Sequence, residues 1–417
     1  MLALLATAPA QSAPLRLSVN GSQLLDPTSK PIRLVGFNWQ VGRTGPDPGA
    51  LQKKLAPQSN LARLVGIQWG NTHPLQHHPN KECLTNTPPN YFNEKCFEDL
   101  DPWVKSATDA GLWVVLAVRG EYIAGQLYDS DPGTVVFRNS TLQTMLFAMW
   151  KHVAAHYASF DRIAAYEILS EPRDKSVAAS AVRAVYEGGC AAVQQADPRT
   201  PCLVGGAPYY KLWTFGEQTL INNSNVIYTF DYFNPDAFVF GRDGTTAATV
   251  EESSSAAVAA AAAASDNPRY ASSALAPPIA QYNASYPCST LYDGWVSAAC
   301  PSWNVSSDDA PIMFDRSWHE HNLRYFADAL KTAHDVPVFL NQFEVVHGVT
   351  EAAGRYAYIR DLLSIAQQLG IGWAWWTWEG GSSGGWSHGS SEVVFRWDNG
   401  STMVDTAVLD AMRPYWA

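Results

Sequence analysis

Charge is scarce in this chain of 417 residues. Asp, Glu, Lys and Arg together make up 16%, against about a quarter in an average soluble domain. Positive charge is scarcer still: 28 Lys and Arg stand against 39 Asp and Glu, a formal net charge of −11. Such a chain exerts no general pull on phosphate backbones or anionic lipid heads, so neither nucleic acid nor a membrane surface is expected as a partner. No apolar run approaches the roughly 20 residues that cross a bilayer, so no membrane span is expected. No CxxC pair occurs, which weakens a zinc reading of the cysteines. No metal or cofactor is expected. No internal repeat and no Pro/Thr/Ser-rich linker is visible, so no separate binding module is expected. The hydrophobic share of 47% excludes a mostly disordered chain, a collagen and a coiled coil.

What is abundant is aromatic: 16 Trp, 18 Tyr and 16 Phe. The six cysteines fall into three local couples, 83 with 96, 190 with 202 and 288 with 300. An even count at short spacing suits disulfides in an oxidising compartment. Six cysteines allow fifteen connectivities, and the local set Cys83–Cys96, Cys190–Cys202 and Cys288–Cys300 is the expected one. Asn-X-Ser/Thr triplets at Asn20, Asn139, Asn222, Asn283, Asn304 and Asn399 support export. Residues 1–14 read as a signal-peptide remnant or a tail, without a basic start. A secreted eukaryotic glycoprotein, monomeric, is the expectation.

Eight short, near-continuous apolar runs mark buried parallel strands: Ile32–Asn38, Ala62–Trp69, Leu112–Val118, Ile163–Leu169, Cys202–Gly206, Val226–Tyr232, Val338–Phe343 and Ile371–Thr377. Between them, helical spacing covers Pro48–Ala56, Phe97–Ala110, Leu142–Tyr157, Val177–Gln195, Trp318–Ala333 and Glu351–Leu369, with a last helix at Val404–Met412. This alternation predicts an α/β fold, a (β/α)8 TIM barrel forming a single domain over 15–417. A doubly wound sheet is the alternative, but no glycine-rich phosphate loop follows its first strand. A long insertion, about 235–315, follows strand six. It contains the Ala-rich run Thr245–Ser265 and is expected to wall or cover the site.

Functional residues of such a barrel sit at the C-terminal ends of the strands. Glu171 and Glu344 each follow a strongly apolar strand, where an unpaired carboxylate is expensive. Strands four and seven place them across one cleft, where two carboxyls divide into a proton donor and an ionised nucleophile. Arg63, Arg119, Ser170, Asp231, Gln342 and Trp376 complete the strand-end set. Trp39, Trp69, Trp213, Trp376 and Trp378 fall at or after strand ends, where flat rings can stack on sugar faces. His73, His77 and His78 lack an acidic partner at metal-ligand spacing, and His319 and His321 open a helix as solvated histidines.

These segments together resemble glycoside hydrolase family 5, the cellulase-type barrels. Arg33-Leu34-Val35-Gly36-Phe37-Asn38-Trp39 is similar to the family's opening Gly-x-Asn strand. Tyr166-Glu167-Ile168-Leu169-Ser170-Glu171-Pro172 resembles the strand-four motif, normally Asn-Glu-Pro. Pro337-Val338-Phe339-Leu340-Asn341-Gln342-Phe343-Glu344 resembles the strand-seven segment, and Gly372-Trp373-Ala374-Trp375-Trp376-Thr377-Trp378 the strand-eight one. By that resemblance Glu171 is the acid/base, Glu344 the nucleophile, Arg63 the residue that hydrogen-bonds the nucleophile, and Trp376 the sugar platform.

Four positions depart from the family pattern: Ser170 for the Asn before the acid, Asp231 for the strand-six His, Phe233 for a Tyr whose hydroxyl holds the nucleophile, and Arg119 for the strand-three His. Asp231 is expected beside Glu344, with Arg63 or Arg119 balancing its charge. The resemblance implies retaining hydrolysis of a β-linked oligo- or polysaccharide, best read as an endo-β-1,4-glucanase. A β-mannanase, a β-1,3-glucanase, a glycolipid glycosidase, a transglycosylase and a non-catalytic carbohydrate-binding barrel are the alternatives.

Overall fold

The computed structural model describes residues 13–41, 47–67, 83–85, 87–119, 136–172, 177–216, 219–241, 279, 281–292, 299–380, 391–396 and 401–416. Eight parallel strands close into a barrel: β1 (Val35–Gln40), β2 (Leu61–Ile67), β3 (Trp113–Arg119), β4 (Ile163–Ser170), β5 (Cys202–Gly205), β6 (Val226–Tyr232), β7 (Val338–Phe343) and β8 (Gly372–Trp375). Strand β8 pairs with β1 through Trp375 and Phe37, which closes the ring. All eight apolar runs become barrel strands because both faces of each are covered. Inward-facing Leu61, Val115, Leu203, Ile227, Phe339 and Ala374 form one cluster, into which Leu17 and Leu24 also pack. A second, larger cluster lies between the strands and the helices. Gly36 is required where β1 meets β2, since a Cβ there would lie 2.0 Å from the Leu61 carbonyl oxygen.

Among the described residues the longer helices are α1 (Pro48–Leu55), α2 (Lys95–Asp109), α3 (Ser140–Tyr157), α4 (Ala179–Ala196), α5 (Arg316–Asn322), α6 (Arg355–Gln368) and α7 (Thr406–Met412). Helix α1 starts at Pro48 under an Asp47 cap, and Asn139 caps α3 by accepting from the Thr141 and Leu142 amides. The helix expected over Trp318–Ala333 runs unbroken from α5 through a π-helical stretch Leu323–Asp328 into a last α-helical segment Ala329–His334. An antiparallel sheet of Ser18–Asn20, Gln23–Leu25 and Pro31–Ile32 precedes β1. Periodicity did not reveal its strands, which are two or three residues long.

Between β6 and β7 lies the insertion. Its described part holds a turn at Asp236–Val239 and a hairpin of Ala284–Pro287 with Pro311–Phe314. The Ala-rich run lies outside the described residues. The cysteines are joined as Cys83–Cys96, Cys190–Cys202 and Cys288–Cys300, with Cα separations of 5.5, 5.7 and 5.8 Å. Among the described residues, no helix is long and apolar enough to cross a membrane.

Candidate active site

A polar layer crosses the barrel beneath its C-terminal mouth. Strand alternation turns Arg63 of β2 and Glu167 of β4 inward. The guanidinium Nε lies 2.6 Å from Glu167 Oε2 and Nη2 lies 2.8 Å from Oε1, a bidentate pair with both side chains fully buried. Burial by itself would lower the arginine pKa; the charge and hydrogen bonds of Glu167 oppose it and the net direction is upward. Arg63 Nη1 donates to Asn38 Oδ1 at 2.6 Å and Nη2 to Ser170 Oγ at 2.8 Å. Asn341 of β7 donates to Glu167 Oε1 at 3.0 Å. Asn38 donates to the carbonyls of Asn341, Ala374 and Trp375, so the layer ties β1, β2, β4, β7 and β8 together.

Above this layer, Glu171 directly follows β4 with φ 47°, in the left-handed region. That conformation is uncommon for a non-glycine residue and concentrates at functional sites. Gln342 Nε2 donates to Glu171 Oε1 at 3.2 Å and to Asp231 Oδ2 at 3.1 Å, which brings the ends of β4, β6 and β7 together. Burial, followed by the charge of Glu171 and a hydrogen bond with it, pushes the Asp231 carboxyl well above the usual range; Arg63 opposes this and Glu167 adds to it. Asp231 Oδ1 is buried and has no hydrogen-bond partner among the described residues. A second carboxyl this close favours the protonated form of Asp231.

Glu344 directly follows β7 and is buried. Its Oε2 accepts a hydrogen bond from Ser391 Oγ. Trp376, just past β8, is half-buried and donates its amide to the Phe343 carbonyl at 3.0 Å. Two carboxyl groups at the mouth of one barrel, one bridged by an amide to a third carboxyl and the other held by a hydroxyl, can serve as acid and nucleophile.

The pattern described as cellulase (glycosyl hydrolase family 5) matches residues 25–272. The chain belongs to glycosyl hydrolase family 5. The match spans β1 to β6, including Glu171, and ends before β7. Endoglucanase 3 of Fibrobacter succinogenes is 23% identical over 263 residues, which is 61% of this chain and 36% of that relative. The aligned part thus spans little more than a third of that protein. The fold matches the cellulose synthase subunit Z of Clostridioides difficile with a TM-score of 0.58 at 14% identity, covering 91% of this chain and 99% of the other. It also matches Thermotoga maritima Cel5A, solved with cellobiose, with a TM-score of 0.56 at 13% identity, covering 91% and 97%. The same enzyme has been solved with mannotriose, where the TM-score is 0.54.

Several placements differ from the sequence-based expectations, whether drawn from the residues or from the family resemblance. Arg63 turns to Glu167, Asn38 and Ser170, not to Glu344, because Glu167 lies one strand alternation below the rim and offers both oxygens to the fork. Asp231 stands beside Glu171, not Glu344, since Gln342 draws the two together. Trp39 faces away from the cleft; it is fully buried against α1 and donates to Gln52 Oε1 at 2.8 Å. Trp213 and Trp378 are also core residues, the latter packed on Phe37. His319 is buried and bonded through Nδ1 to the Tyr232 hydroxyl at 3.0 Å, not solvated. Ser170 is at the mouth as expected, accepting from Arg63 while keeping its own proton to donate.

Arg119 ends β3 beside Ser170, and its side chain lies outside the described residues, as do Trp69, His73, His77, His78 and Asn399. Two residues of the site were missed. Glu167 was legible: a glutamate inside an apolar strand, matched by an arginine inside another, signals a buried ion pair. Ser391 carried no signal, because its contact with Glu344 spans 47 positions of chain.

Proposed function

We propose that this chain is a retaining β-glycoside hydrolase that cleaves a β-1,4-linked glucan internally. The observation that carries the reading is the bond from Gln342 to Glu171: it ties Glu171 to a residue two positions before Glu344, so both glutamates line one mouth. The named activity of the Fibrobacter relative and the cellobiose bound by the Thermotoga neighbour support a glucan substrate. The mannotriose complex of the latter favours β-mannan as the second substrate to try.

In the proposed reaction Glu344 attacks the anomeric carbon while Glu171 protonates the leaving oxygen. Water, deprotonated by Glu171, then releases the sugar from the ester formed on Glu344. Asp231, bridged to Glu171 through Gln342, is the acid's neighbouring carboxyl. Trp376 supplies a flat apolar face beside the cleavage point. The three disulfides and the exposed triplets at Asn20, Asn222, Asn283 and Asn304 support a secreted glycoprotein.

The test is turnover of carboxymethyl cellulose, β-mannan, β-1,3-glucan and aryl β-cellobiosides by the wild type, Glu171→Gln and Glu344→Gln. The reading expects wild-type cleavage of the glucan with the β anomer released first, and a loss of at least about a thousandfold in Glu344→Gln. Wild-type binding to these glycans without turnover makes the chain a carbohydrate-binding barrel. Initial release of the α anomer overturns retention.

A further inference from the structure

We propose that Ser391 is a positioning residue for the nucleophile, supplying the hydroxyl that strand six lacks. This rests on the reading of Glu344 as the nucleophile. Phe233, at the strand-six end, is buried and stacked on Phe240 with ring centroids 5.8 Å apart, and has no donor to offer. The donor arrives from another part of the chain. Ser391 lies past β8, just before the short strand Val394–Arg396, and its Oγ faces Glu344 Oε2.

Ser391 is held on several sides. Its carbonyl accepts from the Trp375 indole at 2.9 Å. The next carbonyl, of Glu392, lies 3.1 Å from His347 Nε2, and the Val393 amide donates to the Thr377 carbonyl at 3.1 Å. The side chain is 3% exposed, so water competes poorly for it. These anchors, at Ser391 and the two residues after it, fix the hydroxyl's direction relative to β7 and β8 at once.

The same Oγ lies 2.7 Å from the Trp376 carbonyl oxygen. A serine hydroxyl has a single proton and two acceptors compete for it here. While Glu344 is a carboxylate, the charged acceptor takes the stronger bond. Once Glu344 carries the sugar as a neutral ester, the Trp376 carbonyl becomes the better acceptor, and the proton has somewhere to turn. As water breaks that ester, charge returns to Glu344 and the hydroxyl proton swings back to meet it. Ser391 thus favours departure of the carboxylate, the second half of the reaction, without leaving a buried donor unpaired in either state.

Ser391→Val and Ser391→Thr have nearly the same shape and differ in the hydroxyl. The experiment compares their steady-state rates on dinitrophenyl β-cellobioside, whose leaving group makes release of the sugar from Glu344 the slow step. In Ser391→Val, kcat is expected to fall roughly tenfold to a hundredfold relative to Ser391→Thr, with KM unchanged or lower as the ester accumulates. Equal kcat in the two variants, whether both match the wild type or both are impaired, overturns the proposal. Glu344→Gln is assayed alongside. An active Glu344→Gln defeats the nucleophile reading itself, whereas an inactive one with equal Val and Thr variants defeats only the role of Ser391.

Discussion

Arg63 and Glu167 close on each other inside the barrel at 2.6 and 2.8 Å, one layer beneath the two rim glutamates. Neither charge meets water, so each depends on the other. Removing one partner of such a pair costs about 3–5 kcal/mol, because the remaining charge stays buried and uncompensated. Glu167→Gln is expected to lose stability on that scale by urea unfolding. The double variant Arg63→Met with Glu167→Leu is expected to be more stable than Glu167→Gln. A loss under about 1 kcal/mol in Glu167→Gln would show that the pair is not buried as described.

The raised carboxyl of Asp231 bears on the pH profile expected under the proposed role of Glu171 as acid. Glu171 from β4, Arg63 from β2 and Glu167 from β4 act on it electrostatically, and Gln342 from β7 bonds it. Two carboxyls in contact resist losing their shared proton, so the later of their two ionisations is raised. In Asp231→Asn that resistance is gone, and the basic limb of kcat/KM is expected to move to lower pH. A pH–rate profile with an unchanged basic limb would rule this out.

Trp376 and Trp39 separate binding from packing. Trp376→Ala removes a half-exposed ring at the mouth and is expected to raise KM for oligosaccharides severalfold with little change in melting temperature. Trp39→Phe loses the bond to Gln52 inside the core and is expected to lower stability by about 1–3 kcal/mol with KM unchanged. Calorimetry and steady-state kinetics on both variants check the split.

His319 makes stability depend on pH. Burial, with a smaller contribution from Arg316, lowers its pKa from 6.5 to about 3. Between those values the unfolded chain takes up a proton that the folded chain refuses, so stability falls as pH drops through 6.5. In His319→Leu the unfolding free energy, though lower overall, is expected to vary less between pH 4 and 7. An equal slope in the variant would assign the acid sensitivity elsewhere.

The barrel was legible because strand burial is a local property. Runs such as Val226–Tyr232 and Val338–Phe343 are apolar at nearly every position, and only a sheet covered on both faces buries them. Glu171 and Glu344 were legible for the same reason, as charges placed where such a run ends. The local cysteine couples were legible as an even count at short spacing with no CxxC pair among them.

What tertiary structure decided is the partner of each polar group. The residue sequence marked Arg63, Asp231 and Trp39 as strand-end candidates, but register and side-chain alternation turned Arg63 to Glu167, Asp231 to Glu171 and Trp39 outward to α1. Ser391 reaches Glu344 only because the chain past β8 folds back along Thr377 and Trp378. Apolar runs and strand-end carboxyls follow from neighbours in sequence; hydrogen-bond partners follow from distances across the barrel mouth, which exist only after the ring of strands has closed.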